Sequence, residues 1–106
     1  MIGYAWTMLL FAGFFEVFMA LGLKYNQGFT AFWPSIATFF FGVLSFYSLS
    51  QAIQTLPIGT AYAVWTGIGA AGTALLGMAL FGDSCSLLRI GCLVLIIAGV
   101  AGLKFL

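Results

Sequence analysis

Long apolar runs, separated by short polar segments, make up nearly the whole chain. The separating segments, residues 24–28, 54–57 and 82–86, are rich in Asn, Gln, Gly, Pro and Ser, which are typical of turns. The apolar runs approach the roughly 20 residues that an α-helix needs to cross the hydrocarbon core of a bilayer. The pattern therefore predicts four helices, at about residues 4–23, 34–53, 58–81 and 87–103.

The composition places these helices in a membrane. Hydrophobic residues make up 64% of the 106 residues and charged residues only 5%, whereas soluble domains carry about 25% charged residues. We therefore expect an all-α integral membrane protein, in which residues 1–106 form a single domain of four transmembrane helices within the lipid bilayer.

Several classes of function lack the residues that they require. The chain has no His and only two cysteines, Cys85 and Cys92, so we expect neither a metal site nor a cofactor. A net charge of +1 provides no basic surface for nucleic acid. A single buried acid without a nucleophile and base pair also argues against an enzyme.

Glu16 is a carboxylate near the middle of the first apolar run. Acids at this depth usually face a bundle interior or a wet cavity and take part in proton or ion traffic, although a neutral Glu that bridges helices is the structural alternative. Four other charged residues lie near predicted helix ends, so the counterion of Glu16 must come from outside the chain, as a proton or an organic cation. These four are Lys24, Asp83, Arg89 and Lys104.

Three further side chains are candidates for a cavity around Glu16. Tyr62 and Trp65 share one face of the third helix, and aromatic rings attract cations. The alternative for both rings is a belt at the membrane interface. Ser45 provides a hydroxyl at mid-membrane depth, which bonds either to Glu16 or the substrate, or back to its own helix.

The third helix contains a cluster of glycines at Gly67, Gly69 and Gly72. Glycines expose the helix backbone, which permits close packing against a neighbouring helix and lowers the resistance to bending. We interpret this segment as a packing surface with a conformational hinge.

The basic residues give little information about orientation in the membrane. Lys24 and Arg89 lie on one predicted side and Lys104 on the other, so the bias that sets topology is small. A chain directed so weakly can insert in both orientations and pair as an antiparallel dimer. A single orientation, set by the one extra charge, is the alternative.

Five stretches of the chain resemble the small multidrug resistance family of four-helix, proton-coupled exporters, and within it the guanidinium exporter subtype. They are Phe-Glu-Val at 15–17, Gly-Leu-Lys-Tyr at 22–25, Gly-Phe-Thr at 28–30, the segment LPIGTAYAVWTGIG at 56–69, and Gly-Leu-Lys at 102–104.

The resemblance implies an antiparallel homodimer in a bacterial-type inner membrane, with one shared site in which Glu16 of each subunit binds protons or the substrate. Ser45, Tyr62 and Trp65 match the binding-site Ser, Tyr and Trp of the family. The glycine-rich stretch is expected to bend differently in the two subunits. The implied dimer contacts lie in the fourth helix, at Leu95, Ile96, Gly99 and Val100.

One residue departs from the subtype. Met19 stands where a Trp usually follows the Glu by three positions, and a flexible apolar side chain there is expected to relax selectivity toward bulkier cations. The expected activity is proton-coupled export of guanidinium or guanidinylated compounds. Export of quaternary ammonium or hydrophobic drug cations, a non-transporting structural subunit, and an obligate heterodimer remain open alternatives.

Overall fold

The computed structural model describes residues 2–106, which form four α-helices joined by short loops. Each of these helices is long and apolar enough to cross a membrane, so the predicted four-helix membrane architecture is confirmed. The first two helices begin about half a turn earlier than the sequence pattern places them. The helices are α1 (Ile2–Tyr25), α2 (Phe32–Ile53), α3 (Ile58–Leu80) and α4 (Leu87–Lys104).

A left-handed turn joins α1 to α2. Gln27, Gly28 and Phe29 all have positive φ, at 52°, 70° and 68°, a backbone conformation that non-glycine residues rarely adopt. Asn26, which is 1% exposed, stabilises this turn because its Oδ1 accepts a hydrogen bond from the Phe29 N–H at 3.1 Å. Its Nδ2 also donates to Thr38 Oγ1 at 3.4 Å, which ties the turn to the first half of α2.

α1 and α3 form the centre of the bundle, because α1 packs against both α2 and α3, and α3 contacts each of the other three helices. α4 packs mainly against α3, contacts α1 through Lys104, whose Nζ lies 5.7 Å from the centre of the Trp6 ring, and has no buried residue. The apolar core therefore lies among the first three helices, and α4 is peripheral within one chain. The buried core residues are Leu9, Ala12, Leu49, Ala52, Ala61, Val64 and Trp65.

Glycines bring α1 close to both of its neighbours. A Cβ atom placed on Gly13 would lie 2.5 Å from Ile68 Cγ2 of α3, which is closer than real carbon contacts allow. A Cβ atom on Gly22 would overlap Thr38 Oγ1 and lie 3.1 Å from the Thr38 Cα of α2. In lipid, the burial of apolar surface provides little driving force for helix association, so helices associate through close packing. Small residues at these positions allow the helix backbones to approach closely enough for such packing.

We expect Gly22→Ala to lower the free energy of unfolding by about 1–3 kcal/mol, because the added methyl group would force α1 and α2 apart. Gly59→Ala is the matched control, because a Cβ atom at Gly59 meets nothing within 4 Å. Unfolding by SDS titration in mixed micelles measures both variants. Equal losses in the two would contradict the close approach of α1 and α2 at Gly22.

Candidate functional site

The Glu16 carboxylate lies directly on the backbone of α3. A Cβ atom placed on the buried Gly69 would lie 2.5 Å from Glu16 Oε2 and 2.7 Å from Oε1. Oε2 is buried and has no hydrogen-bond partner within residues 2–106. Buried polar atoms in folded proteins almost always have a partner, and residues 2–106 provide none for this oxygen.

A chain of buried hydrogen bonds joins three helices one turn from Glu16. The Trp65 Nε1–H of α3 donates to Ser45 Oγ of α2 at 2.9 Å. The Ser45 hydroxyl in turn donates to the Ala12 carbonyl of α1 at 2.7 Å. In an α-helix the carbonyl of Ala12 also accepts the backbone N–H of Glu16, four residues later. The network therefore fixes the part of α1 that carries the acid.

Ser45 and Trp65 are both enclosed, at 0% and 6% exposure. Ser45 bonds across to α1 instead of back to its own helix, and no hydrogen bond joins it to Glu16 in the described part of the chain. Trp65 is too deeply buried to serve as an interfacial belt residue. Both side chains thus support the Glu16 region through the backbone of α1.

Tyr62 differs from Trp65 in its surroundings although both share one face of α3. Its side chain is 56% exposed, and its ring packs edge-on against Trp65 with centroids 5.3 Å apart. The Phe46 ring of α2 contacts Trp65 as well, at 5.4 Å. The described residues give Tyr62 no hydrogen bond to Glu16, so a single chain leaves Tyr62 facing outward.

Met19 packs against α2. A Cβ atom on Gly42 would lie 3.3 Å from Met19 Sδ, so the absence of a side chain at Gly42 makes space for the thioether. Met19, Gly42, Phe46 and Tyr47 border an open, largely apolar cavity of about 610 Å³. Glu16 faces α3, so the two side chains lie on adjacent faces of α1.

The three glycines of the predicted hinge lie within a continuous helix, since α3 extends from Ile58 to Leu80. A Cβ atom placed on Gly67 would lie 2.5 Å from Val100 Cγ2 of α4. A Cβ atom placed on Gly72 would lie 2.6 Å from Val17 Cγ2 of α1. With Gly69 under Glu16, all three glycines are points of close packing. Their bending remains a prediction.

The predicted dimer contacts divide between two faces of α4. Val100 and Ile96 pack toward Gly67 within the same chain, with Ile96 Cγ2 3.6 Å from a Cβ atom placed there. Leu95 is 72% exposed, and a Cβ atom on Gly99 meets nothing within 4 Å. Leu95 and Gly99 are therefore free within one chain to contact a second copy.

Comparison with known proteins identifies the family. The family model described as Small Multidrug Resistance protein matches residues 4–96. The chain belongs to the small multidrug resistance family. Among its relatives are proteins named Guanidinium exporter from Yersinia pseudotuberculosis serotype I (strain IP32953), 55% identical, and from Citrobacter freundii and Salmonella typhimurium, each 54% identical. Each comparison spans 100 residues, covering 94% of this chain and 95–96% of the relative.

This family membership confirms the prediction, made from five sequence stretches, that the chain resembles the small multidrug resistance family. Four apolar helices and bacterial relatives make the chain a multi-pass protein of the inner membrane. Within residues 2–106, the structure brings together no group of three or more His, Cys, Asp or Glu that could hold a metal ion.

Three groups of this candidate site were not predicted from the sequence. They are the Ala12 carbonyl, which accepts from Ser45, the Phe46 ring beside Trp65, and Gly42, which makes space for Met19. A backbone acceptor has no residue signature. Gly42 and Phe46 lie four positions apart on α2, near Ser45, and that spacing is the one signal that could have found them.

We expect Ser45→Ala to lower the free energy of unfolding by about 1–3 kcal/mol, because it leaves the buried Trp65 Nε1–H without an acceptor. Adding Trp65→Phe should cost less than the sum of the single changes, because Phe has no N–H to leave unpaired. SDS titration followed by circular dichroism measures this double-mutant cycle, with the exposed Ser50→Ala as the control. Strict additivity would contradict the coupling.

Proposed function

We propose that this protein is an antiporter that exports small organic cations, above all guanidinium, in exchange for protons. The observation that carries the proposal is Glu16, an acid near the middle of α1 whose buried Oε2 has no partner within residues 2–106. The names of the relatives, Guanidinium exporter, support an exporter rather than an enzyme as the class of protein.

Guanidinium suits a carboxylate site. It is planar, carries a delocalised positive charge, and presents pairs of N–H donors that match the two oxygens of a carboxylate. The basic side chains Lys24 and Lys104 lie in the last turns of their helices, and Arg89 lies in the first turn of α4. A cation from outside therefore has no competitor from the chain at the depth of Glu16.

Competition for one carboxylate would couple the two fluxes. A proton and a guanidinium ion both neutralise Glu16, so the site holds one or the other. If the site changes the side to which it opens only when it is occupied, an inward proton gradient drives the cation outward. Trp65 and Ser45 would hold the α1 segment in place during this exchange, and Tyr62 would border the substrate.

We further propose that the working unit is an antiparallel homodimer, with the Glu16 carboxylates of two chains sharing one cavity. α4 packs mainly against α3, and its exposed Leu95 and Gly99 are available for a second copy. In such a two-fold site the two carboxylates would titrate as a pair. Opposite insertion of the two copies is compatible with the small Lys and Arg bias.

Cys85 provides a test of dual insertion, because it is exposed in the loop between α3 and α4. In a Cys92→Ser background, with this chain expressed alone, we expect a membrane-impermeant maleimide to label roughly half of the protein in intact cells, since each dimer would contain both orientations. Complete labelling after solubilisation is the control. Labelling of all or none of the intact-cell protein would contradict dual topology.

A second substrate class is favoured by one observation. The open apolar cavity beside Met19 offers space for a hydrophobic substituent, so quaternary ammonium or other apolar cations are the second candidate. The chemistry at Glu16 would be the same, because any monovalent cation competes with a proton for the carboxylate.

We expect Glu16→Gln to abolish proton-coupled guanidinium transport, because a neutral amide neither binds a cation strongly nor exchanges a proton. The measurement is radiolabelled guanidinium uptake into proteoliposomes, together with the internal pH, repeated with tetramethylammonium. Asp83→Asn is the matched control, because Asp83 is the other acidic residue of the chain and is exposed in a loop. Its coupled transport should persist.

Three other outcomes distinguish the alternatives. Coupled transport retained by Glu16→Gln would contradict the role of Glu16. Transport of tetramethylammonium without guanidinium would select the second substrate class. Transport of neither cation would favour a structural subunit.

A further inference from the structure

Gly69 differs from Gly67 and Gly72, the other two glycines of the predicted hinge, in what lies over it. The Glu16 carboxylate occupies the space where a side chain at position 69 would begin, with both oxygens within 3.0 Å of a Cβ atom placed there. Gly67 and Gly72 instead face the methyl groups of Val100 and Val17. A role as a hinge would apply equally to Gly67, Gly69 and Gly72. Of these three glycines, only Gly69 contacts the Glu16 carboxylate.

Contacts on either side fix the separation of α1 and α3 at this level. Gly13 meets Ile68 about one turn before Glu16, and Val17 meets Gly72 immediately after it. Moving the helices apart to admit a methyl group at position 69 would therefore open both of these contacts. The carboxylate is the far end of a flexible side chain, so it is the group that must move.

We infer that Gly69 is a positioning residue that seats the Glu16 carboxylate against the α3 backbone and so sets the affinity of the site for its cation. The inference rests on the proposed function and deepens it, because it assigns the geometry of the ligand-binding group to a residue without a side chain. A carboxylate displaced from this seat presents its oxygens at a different depth and angle to the cation.

Gly69→Ala tests whether Gly69 positions the Glu16 carboxylate. We expect it to fold and to weaken guanidinium binding roughly tenfold or more, since a displacement of about 1 Å in a binding group has large effects. Gly67→Ala is the comparison, because a Cβ atom there meets Val100 of α4 and not α1, and a purely mechanical hinge defect would slow turnover while leaving the dissociation constant nearly unchanged. Isothermal titration calorimetry and proteoliposome exchange rates separate these two effects.

A second readout does not depend on transport. Glu16 is the only glutamate in the chain, so ¹³C-glutamate labelling reports its carboxyl carbon alone. We expect Gly69→Ala to change the chemical shift of this carbon at fixed pH, and Gly67→Ala, whose methyl group would meet α4, to leave it nearly unchanged. A Gly69→Ala spectrum that superimposes on the wild-type spectrum would contradict the inference that Gly69 positions the Glu16 carboxylate.

Shortening the acid provides a rescue. In a Glu16→Asp background the carboxylate is withdrawn by one methylene group, so the added methyl at position 69 should weaken binding by less than about threefold. The same tenfold loss in both backgrounds would overturn the inference. Failure of the wild-type protein to bind guanidinium would instead overturn the proposed substrate, and the carboxyl chemical shift would still decide whether Gly69 seats Glu16.

Discussion

The rest of the structure is organised around a carboxylate held near the middle of a membrane helix. A charge at that depth is costly, and the cost falls only when the group is neutralised or enclosed by protein. Glu16 is half-enclosed between α1 and α3, with one oxygen buried and unpartnered within the described residues. The free energy of this carboxylate therefore depends strongly on whether it is charged, protonated or paired with a cation.

Close helix packing supports this arrangement. Along the contact of α1 and α3, side chains of one helix lie over glycines of the other, at Gly13 with Ile68, Gly69 with Glu16, and Gly72 with Val17. Two of these pairs are apolar and set the spacing of the helices, while the pair between them carries the acid. The Glu16 carboxylate is therefore positioned by the packing of apolar side chains on either side of it.

Sequence patterns were sufficient for the fold and for the acid, because both depend on properties of single residues. The four helices follow from apolar length, and Glu16 stands out by its depth in the first run. What surrounds Glu16 could not be predicted in the same way. Helical spacing placed Tyr62 and Trp65 on one face, yet packing makes one exposed and the other buried.

The direction of Met19 depends on Gly42 of another helix, and the partner of Ser45 is a backbone atom, so neither follows from local spacing. The hydrogen bond to the Ala12 carbonyl limits which substitutions this part of the chain can accept. Ser45 and Trp65 are constrained in chemical identity, because each contributes a specific donor or acceptor. Position 12 is constrained only in volume, since any small residue there presents the same carbonyl to α2.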